Sequence, residues 1–280
     1  MSNTYLGFIG GGNMATAIIR GLLDDGMEAE RILVSEPGAE QQERLRADFP
    51  DCHVTESNQL VASRSNTLVL AVKPQVLAEV CTQIATEVGA TRPLIISIAA
   101  GVRTLDIDDW LGGGHSIVRV MPNQPALLRQ GISGLYANDA TTDVRKTIAT
   151  DIIAAIGDVV EVDRESDIDV VTAVSGSGPA YVYLLIKMLT DSGISMGLDA
   201  PRARQLAVKT ATGSAMLADQ SDDSMDELIA RVRSPGGTTA AALDSLDNDD
   251  VHAIFRRALR AARDRAVELA DKAQDERAKS

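Results

Sequence analysis

Aromatic residues are scarce in this chain, at 3% of 280 residues with a single Trp, four Tyr and three Phe. A core with so few rings has to be packed from Ala, Val, Ile and Leu, which fits the 45% hydrophobic content and a soluble protein. Cysteine is rarer still. Cys52 and Cys81 make neither a metal-ligand spacing nor a disulfide framework, so a reducing, cytoplasmic setting is expected. Positive charge is in deficit: 27 Lys and Arg stand against 40 Asp and Glu, a net charge of −13. With no basic stretch to neutralise phosphates, nucleic acid is not an expected partner, and the acidity reads as solubility. No uninterrupted apolar run reaches the roughly 18 residues of a membrane span, and the first residues lack the pattern of a secretion signal. Neither membrane nor export is expected. The histidines, His53, His115 and His252, fall outside every motif described below, and no metal site is expected.

What the chain does have is an informative beginning. Tyr5-Leu-Gly-Phe-Ile reads as a buried parallel strand, and Gly10, Gly11, Gly12, Asn13 and Met14 lead from it into a helix. Gly10-x-Gly12-x-x-Ala15 is the G-x-G-x-x-G/A pattern of a dinucleotide fold. The first glycine suits a tight turn, the second lets backbone approach a pyrophosphate, and Ala15 lets helix and strand pack closely. The helix start offers unpaired N–H groups and a partial positive charge.

Strand-like apolar runs at 6–9, 32–35, 67–72, 94–98, 117–120 and 159–162 alternate with segments of helical period. That alternation means a doubly wound parallel sheet covered by helices, an α/β fold of Rossmann type over residues 1–163. After residue 164 the strand signals stop. Segments 179–196, 200–217, 225–232, 238–246 and 249–273 read as helices, so residues 164–280 form an all-helical second domain. The helix from Ala180 carries a broad apolar surface for neighbouring helices or a second subunit. The charged tail 274–280 is expected to fray.

Functional groups of such a fold gather at the carboxyl ends of its strands. Ser35 and Glu36 end the second strand where an acidic residue often binds the adenosine ribose. Glu36 favours NADH and repels a 2′-phosphate, whereas the Ser35 hydroxyl can serve a phosphate. The choice between NADPH and NADH stays open on these residues. Small Ala71, followed by Val72, Lys73 and Pro74, ends another strand and permits close backbone approach. Ile98, Ala99 and Ala100 make a second small-residue wall, fit for a nicotinamide. Asn123 binds substrate or stabilises its turn.

In the helical half, Ser234-Pro235-Gly236-Gly237-Thr238-Thr239 precedes a helix. Consecutive glycines there expose N–H groups suited to a carboxylate, and the threonines add hydroxyls. An ordinary helix cap is the plainer alternative.

Together these segments resemble the pyrroline-5-carboxylate reductase family. The resemblance rests on Gly7-Phe-Ile-Gly-Gly-Gly-Asn-Met14, Leu70-Ala-Val-Lys-Pro-Gln75, Ser97-Ile-Ala-Ala-Gly-Val102, Arg119-Val-Met-Pro-Asn123, Ala173-Val-Ser-Gly-Ser-Gly-Pro-Ala-Tyr181 and Ser234-Pro-Gly-Gly-Thr-Thr239, in that order along nearly the whole chain. It implies reduction of the cyclic imine 1-pyrroline-5-carboxylate to L-proline by NADPH or NADH, the last step of proline biosynthesis. It also implies a helical domain that interlocks subunits as a homodimer, with a decamer of five dimers in many members. By matching positions, Ser234, Gly236, Gly237, Thr238 and Thr239 bind the substrate, Thr239 meets the ring nitrogen as the catalytic contact, and Glu165 lies near the pocket. Ile9 through Met14, Ser35, Asn58, Ala71 through Pro74, and Ile98 through Ala100 line the cofactor.

Several positions depart from the family pattern: Gln124 where Thr is common, Lys187 and Lys209 on the first long helices of the second domain, and Arg233 before the Ser-Pro-Gly-Gly run. Two rival readings share the architecture. A 3-hydroxyacid dehydrogenase needs a lysine base soon after a Gly-x-Gly segment, and Lys187 stands too far beyond Gly178. A nucleotide sensor without turnover is the other; intact cofactor and substrate loops in one chain speak against it.

Overall fold

The computed structural model describes residues 5–277. These residues form two compact units, one made of residues up to Gly176 together with those from Ala262, the other of Ser177–Ala261. Division by contacts falls after Gly176, and the last turns of the final helix go with the first unit.

The first unit is built on one eight-stranded sheet in the order β3-β2-β1-β4-β5-β6-β7-β8. Its strands are β1 (Leu6–Ile9), β2 (Ile32–Ser35), β3 (His53–Thr55), β4 (Thr67–Leu70), β5 (Leu94–Ser97), β6 (Ile117–Met121), β7 (Gly131–Ala137) and β8 (Gly157–Glu161). Strands β1 to β6 are mutually parallel. β7 runs antiparallel to β6, and β8 runs parallel to β7. The last two strands thus oppose the first six, which corrects the expectation of a wholly parallel sheet. The reason is local: β6 and β7 are joined by only a short 3₁₀ turn, Gln124–Leu128, too short for the crossover that parallel pairing needs. The order of the first six strands reverses between β1 and β4, which makes a crevice there at the strands' carboxyl ends.

Alternation along the strands feeds two cores. Phe8, Ile32, Val34, Val69, Ile96 and Val118 face one side, where they meet Ile18, Ile19 and Leu22 of α1 (Asn13–Asp24), Leu45 of α2 (Ala39–Asp48), and Ile152 and Ile153 of α6 (Asp143–Ala154). Ile9, Leu33, Leu68, Leu70 and Ile95 face the other. They pack on Val61 of α3 (Asn58–Arg64), Leu77 and Ile84 of α4 (Pro74–Thr91), and Ile107 of α5 (Thr104–Leu111). Each fully buried Ile or Leu contributes about 1.5–3 kcal/mol, so the sheet is held from both faces mainly by aliphatic side chains. A five-residue helix, α7 (Asp167–Val171), continues through the π turn Thr172–Gly176.

The second unit is helical: α8 (Gly178–Ser195), α9 (Ala200–Asp219), α10 (Met225–Val232), α11 (Thr238–Asn248) and the start of α12 (Val251–Arg277). α8 and α9 make a tight hairpin at Gly193, where a side chain would press on Ala203 and Leu198. α12 is helical through Arg277, so residues 274–277 continue the helix and do not end it as expected; residues 278–280 lie outside the described residues. By length and composition alone the helical stretch Asp167–Ser195 is apolar enough to cross a membrane, a test that helices of soluble proteins also pass.

Candidate functional site

Backbone hydrogen bonds lace the carboxyl ends of five strands into one rim. The N–H of Glu36 donates to the Thr55 carbonyl at 2.9 Å, Gly10 to Ser35 at 2.8 Å, Ala71 to Ile9 at 2.8 Å and Ile98 to Leu70 at 3.2 Å. The rim brings together the residues expected around a cofactor: Ile9 to Met14, Ser35 and Glu36, Ala71 to Pro74, and Ile98 to Ala100. Asn58 follows β3 at the same edge, as the first residue of α3. Lys73 is exposed at the cap of α4, with Pro74 as the first helical residue.

Gly10 and Gly11 are constrained by their surroundings. Gly10 has φ +94°, and a Cβ there would lie 2.8 Å from the Ala71 carbonyl oxygen. Gly11 would drive a Cβ to 2.4 Å from Leu45 Cδ1. Gly12 caps α1 without a side-chain hydrogen bond and has open space beside it, leaving the N–H groups of the first turn to a ligand. This cradle fits a pyrophosphate.

The two residues at the end of β2 have different fates. Ser35 is fully buried, and its hydroxyl is engaged by the Phe8 carbonyl at 3.3 Å. Glu36 is half-buried and faces the glycine loop. Its Oε2 accepts the Gly11 N–H at 3.0 Å and its Oε1 the Gly38 N–H at 2.9 Å.

Glu165 does not stand free beside a pocket. Its carboxylate accepts the N–H of Thr104 at 2.7 Å and the Thr104 hydroxyl at 2.8 Å, and pairs with Arg119 at 3.4 Å. Arg119, in the middle of β6, is buried and also pairs with Asp169 at 3.0 Å. Burial, and then the negative charges of Glu165 and Asp139, raise the pKa of the Tyr136 hydroxyl above its ordinary value. Sequence reasoning quoted Arg119 within a motif but gave it no role. The signal was an arginine inside an apolar strand, which has to find carboxylates when buried. Asn123 is used at both ends, donating to the Ser175 carbonyl at 3.3 Å and accepting the Ile132 N–H at 3.1 Å. It is therefore a latch between β7 and the π turn.

In the second unit, Gly236 has φ +69° and Gly237 caps α11 without a side-chain hydrogen bond. Thr238 and Thr239 are the first two residues of α11, so the helix N-terminus is open to an anion. Arg233 pairs with Asp244 at 2.5 Å, which explains how this departure from the family pattern is accommodated. Lys187 likewise pairs with Asp191. Gln124 opens the short 3₁₀ turn after Asn123.

A Rossmann sheet with a glycine cradle at its switch point defines a dinucleotide-binding protein. Comparison with known proteins sharpens this. Residues 165–269 match the family described as pyrroline-5-carboxylate reductase dimerisation, and residues 5–101 the family described as NADP oxidoreductase coenzyme F420-dependent. The pyrroline-5-carboxylate reductase of Pseudomonas aeruginosa is 44% identical over 97% of this chain and 98% of its own. That of Haemophilus influenzae is 39% identical over 96% and 98%. The solved reductase of Coxiella burnetii superposes with a TM-score of 0.91 at 37% identity, covering 96% of this chain and 99% of that one. The Plasmodium falciparum enzyme, solved with NADP bound, gives 0.84 at 30% over 96% and 99%. The chain belongs to the pyrroline-5-carboxylate reductase family, enzymes that reduce 1-pyrroline-5-carboxylate to proline.

Proposed function

We propose that the loop 234–239 holds the substrate of this reductase and that the rim of the first unit holds its NADH or NADPH. The observation that carries the first assignment is the uncapped start of α11. Gly237 caps the helix while its own N–H turns back to the Ser234 carbonyl at 2.9 Å, and no side chain caps the first turn, so the N–H groups of Thr238 and Thr239 stand open to an anion. A carboxylate is the anion that pyrroline-5-carboxylate brings. With it bound there, the Thr239 hydroxyl can reach the ring nitrogen, orient the imine and steady the nitrogen as it becomes an amine. When bound, the nicotinamide supplies the hydride that adds to the imine carbon. The cyclic imine carries its own proton, so the chain needs no strong acid. Glu165 contributes by fixing Thr104, and with it the wall at Ile98–Ala100.

We further assign the second unit to a homodimer. Its buried residues are Gly193, Ala203 and Ala207, while Tyr183, Leu206, Met216 and Leu217 are all more than half exposed. Helices with apolar sides and almost no core of their own require another surface. A second copy of the chain supplies it, in keeping with the dimerisation family matched at 165–269. The same need accounts for the apolar stretch Asp167–Ser195, whose ion pair Lys187–Asp191 suits water at an interface rim. Five such dimers make the decamer, and the cytoplasm is the expected location.

The test is oxidation of NADH and NADPH at 340 nm with purified protein and DL-pyrroline-5-carboxylate, alongside light scattering for mass. Saturable turnover by a dimer or larger assembly is expected; a folded protein silent with both cofactors overturns the reading.

A further inference from the structure

Resting on the reductase reading, we propose that this enzyme selects NADH over NADPH, and that Glu36 is the residue that makes the selection. A 2′-phosphate needs positive charge or free donors where the ribose lies, beyond the end of β2. The two residues at the end of β2, Ser35 and Glu36, offer neither. Ser35, the residue that would donate a hydroxyl, is buried and bonded to the Phe8 carbonyl. The side chain presented at that point is a carboxylate. Glu36 is held by the N–H groups of Gly11 and Gly38, so it is fixed against the glycine loop and cannot swing clear without breaking both bonds.

The nearby cations are committed elsewhere. Arg44 pairs with Glu40 at 2.5 Å, and Arg46 donates to Gln42 at 2.8 Å and to the Val54 carbonyl at 3.4 Å. Among the described residues no Lys, Arg or His forms an ion pair with Glu36. Gln41, which follows on α2, donates to the Gly11 carbonyl at 2.6 Å and adds rigidity to the same loop. A ribose with two free hydroxyls can donate to the Glu36 carboxylate. A 2′-phosphate there places like charges side by side in a partly desolvated corner, which separates the two cofactors by at least about tenfold.

Binding is measured first, without substrate, by the change in nicotinamide fluorescence as NADH and NADPH are titrated into the intact protein. The expected result is an NADH Kd at least about tenfold below that of NADPH, with the same order in kcat/KM at 340 nm. Glu36→Gln keeps the shape and an acceptor for Gly11 while removing the charge, and Glu36→Ser replaces the carboxylate with a short hydroxyl. Both should tighten NADPH relative to NADH. The ratio for the unaltered protein is decisive even if a variant fails to fold. NADPH bound as tightly as NADH, or a ratio unmoved in both variants, overturns the proposal and leaves the reductase reading standing. Binding of neither cofactor overturns both.

Discussion

The carboxylate of Glu165 caps Thr104 twice, taking its N–H at 2.7 Å and its hydroxyl at 2.8 Å. Thr104 opens α5 directly after the strand-end segment that includes Ile98, Ala99 and Ala100. One acidic side chain from beyond β8 therefore fixes the backbone on which a cofactor would rest, while its other neighbour is the buried Arg119. Glu165→Ala leaves a buried N–H unpaired and Arg119 with Asp169 alone. The expected loss is about 1.5–3 kcal/mol, toward the lower end because the side chain is 21% exposed. Thr104→Val removes only the hydroxyl bond and should lose roughly 1 kcal/mol. Urea unfolding of both variants checks the order; equal midpoints would deny Glu165 its capping role.

Thr239→Ala should lower turnover well before it weakens cofactor binding. A hydrogen bond to a nitrogen that carries charge is worth roughly 1.5–3 kcal/mol, or about ten- to a hundredfold in kcat/KM for the imine. Thr239→Ser keeps the hydroxyl and should recover most of that loss. Unchanged kinetics in the alanine variant would mean that the ring nitrogen is held elsewhere.

Gly21 sits in the middle of α1, where replacing glycine by alanine ordinarily stabilises a helix by about 1 kcal/mol. Here the opposite is expected. A Cβ on Gly21 would lie 2.2 Å from the Ala155 carbonyl oxygen, which is backbone and cannot rotate away. The clash forces α1 from its seat and should cost about 1–3 kcal/mol, outweighing the propensity gain. Thermal melting of Gly21→Ala would settle the sign.

Much of this was legible in the residues because it depends on local period and local turn chemistry. The runs at 6–9 and 32–35 became β1 and β2 with those bounds, and the helices after residue 178 appeared near the expected positions. The glycine cradle was readable since Gly10 can take a positive φ and Gly12 can leave its helix start bare. β7 was missed because Gly131 and Gly134 interrupt its pattern, and β3 because three residues carry too little period. Ser35 and Glu36 could not be ranked from sequence. Which of two adjacent side chains points into the sheet depends on the pleat and on a bond to Phe8, a residue distant in the chain. Glu165 was placed near a pocket by resemblance alone. Its bonds to Thr104 and Arg119 join three segments that no short window contains.

His115 gives the chain a pH dependence that sequence did not suggest. It is 2% exposed, its Nε2 lies 3.2 Å from the Leu111 carbonyl, and its Nδ1 has no hydrogen-bond partner. Burial holds its pKa below the ordinary 6.5; the Leu111 carbonyl opposes that, Arg92 reinforces it, and Asp108 opposes it more weakly. The unfolded chain therefore takes up a proton at a pH where the folded chain does not. Stability from this residue is complete above about 6.5 and declines as pH falls from there toward the folded value, by at most about 1.4 kcal/mol per pH unit. Carboxylates add their own slope at lower pH, so the comparison is with His115→Leu across pH 7.5 to 5.5. That variant loses the Leu111 bond and is expected to be less stable throughout, but its urea midpoint should fall less steeply below about 6.5 than that of the unaltered protein. Parallel curves would show that His115 does not titrate differently in the folded and unfolded chains.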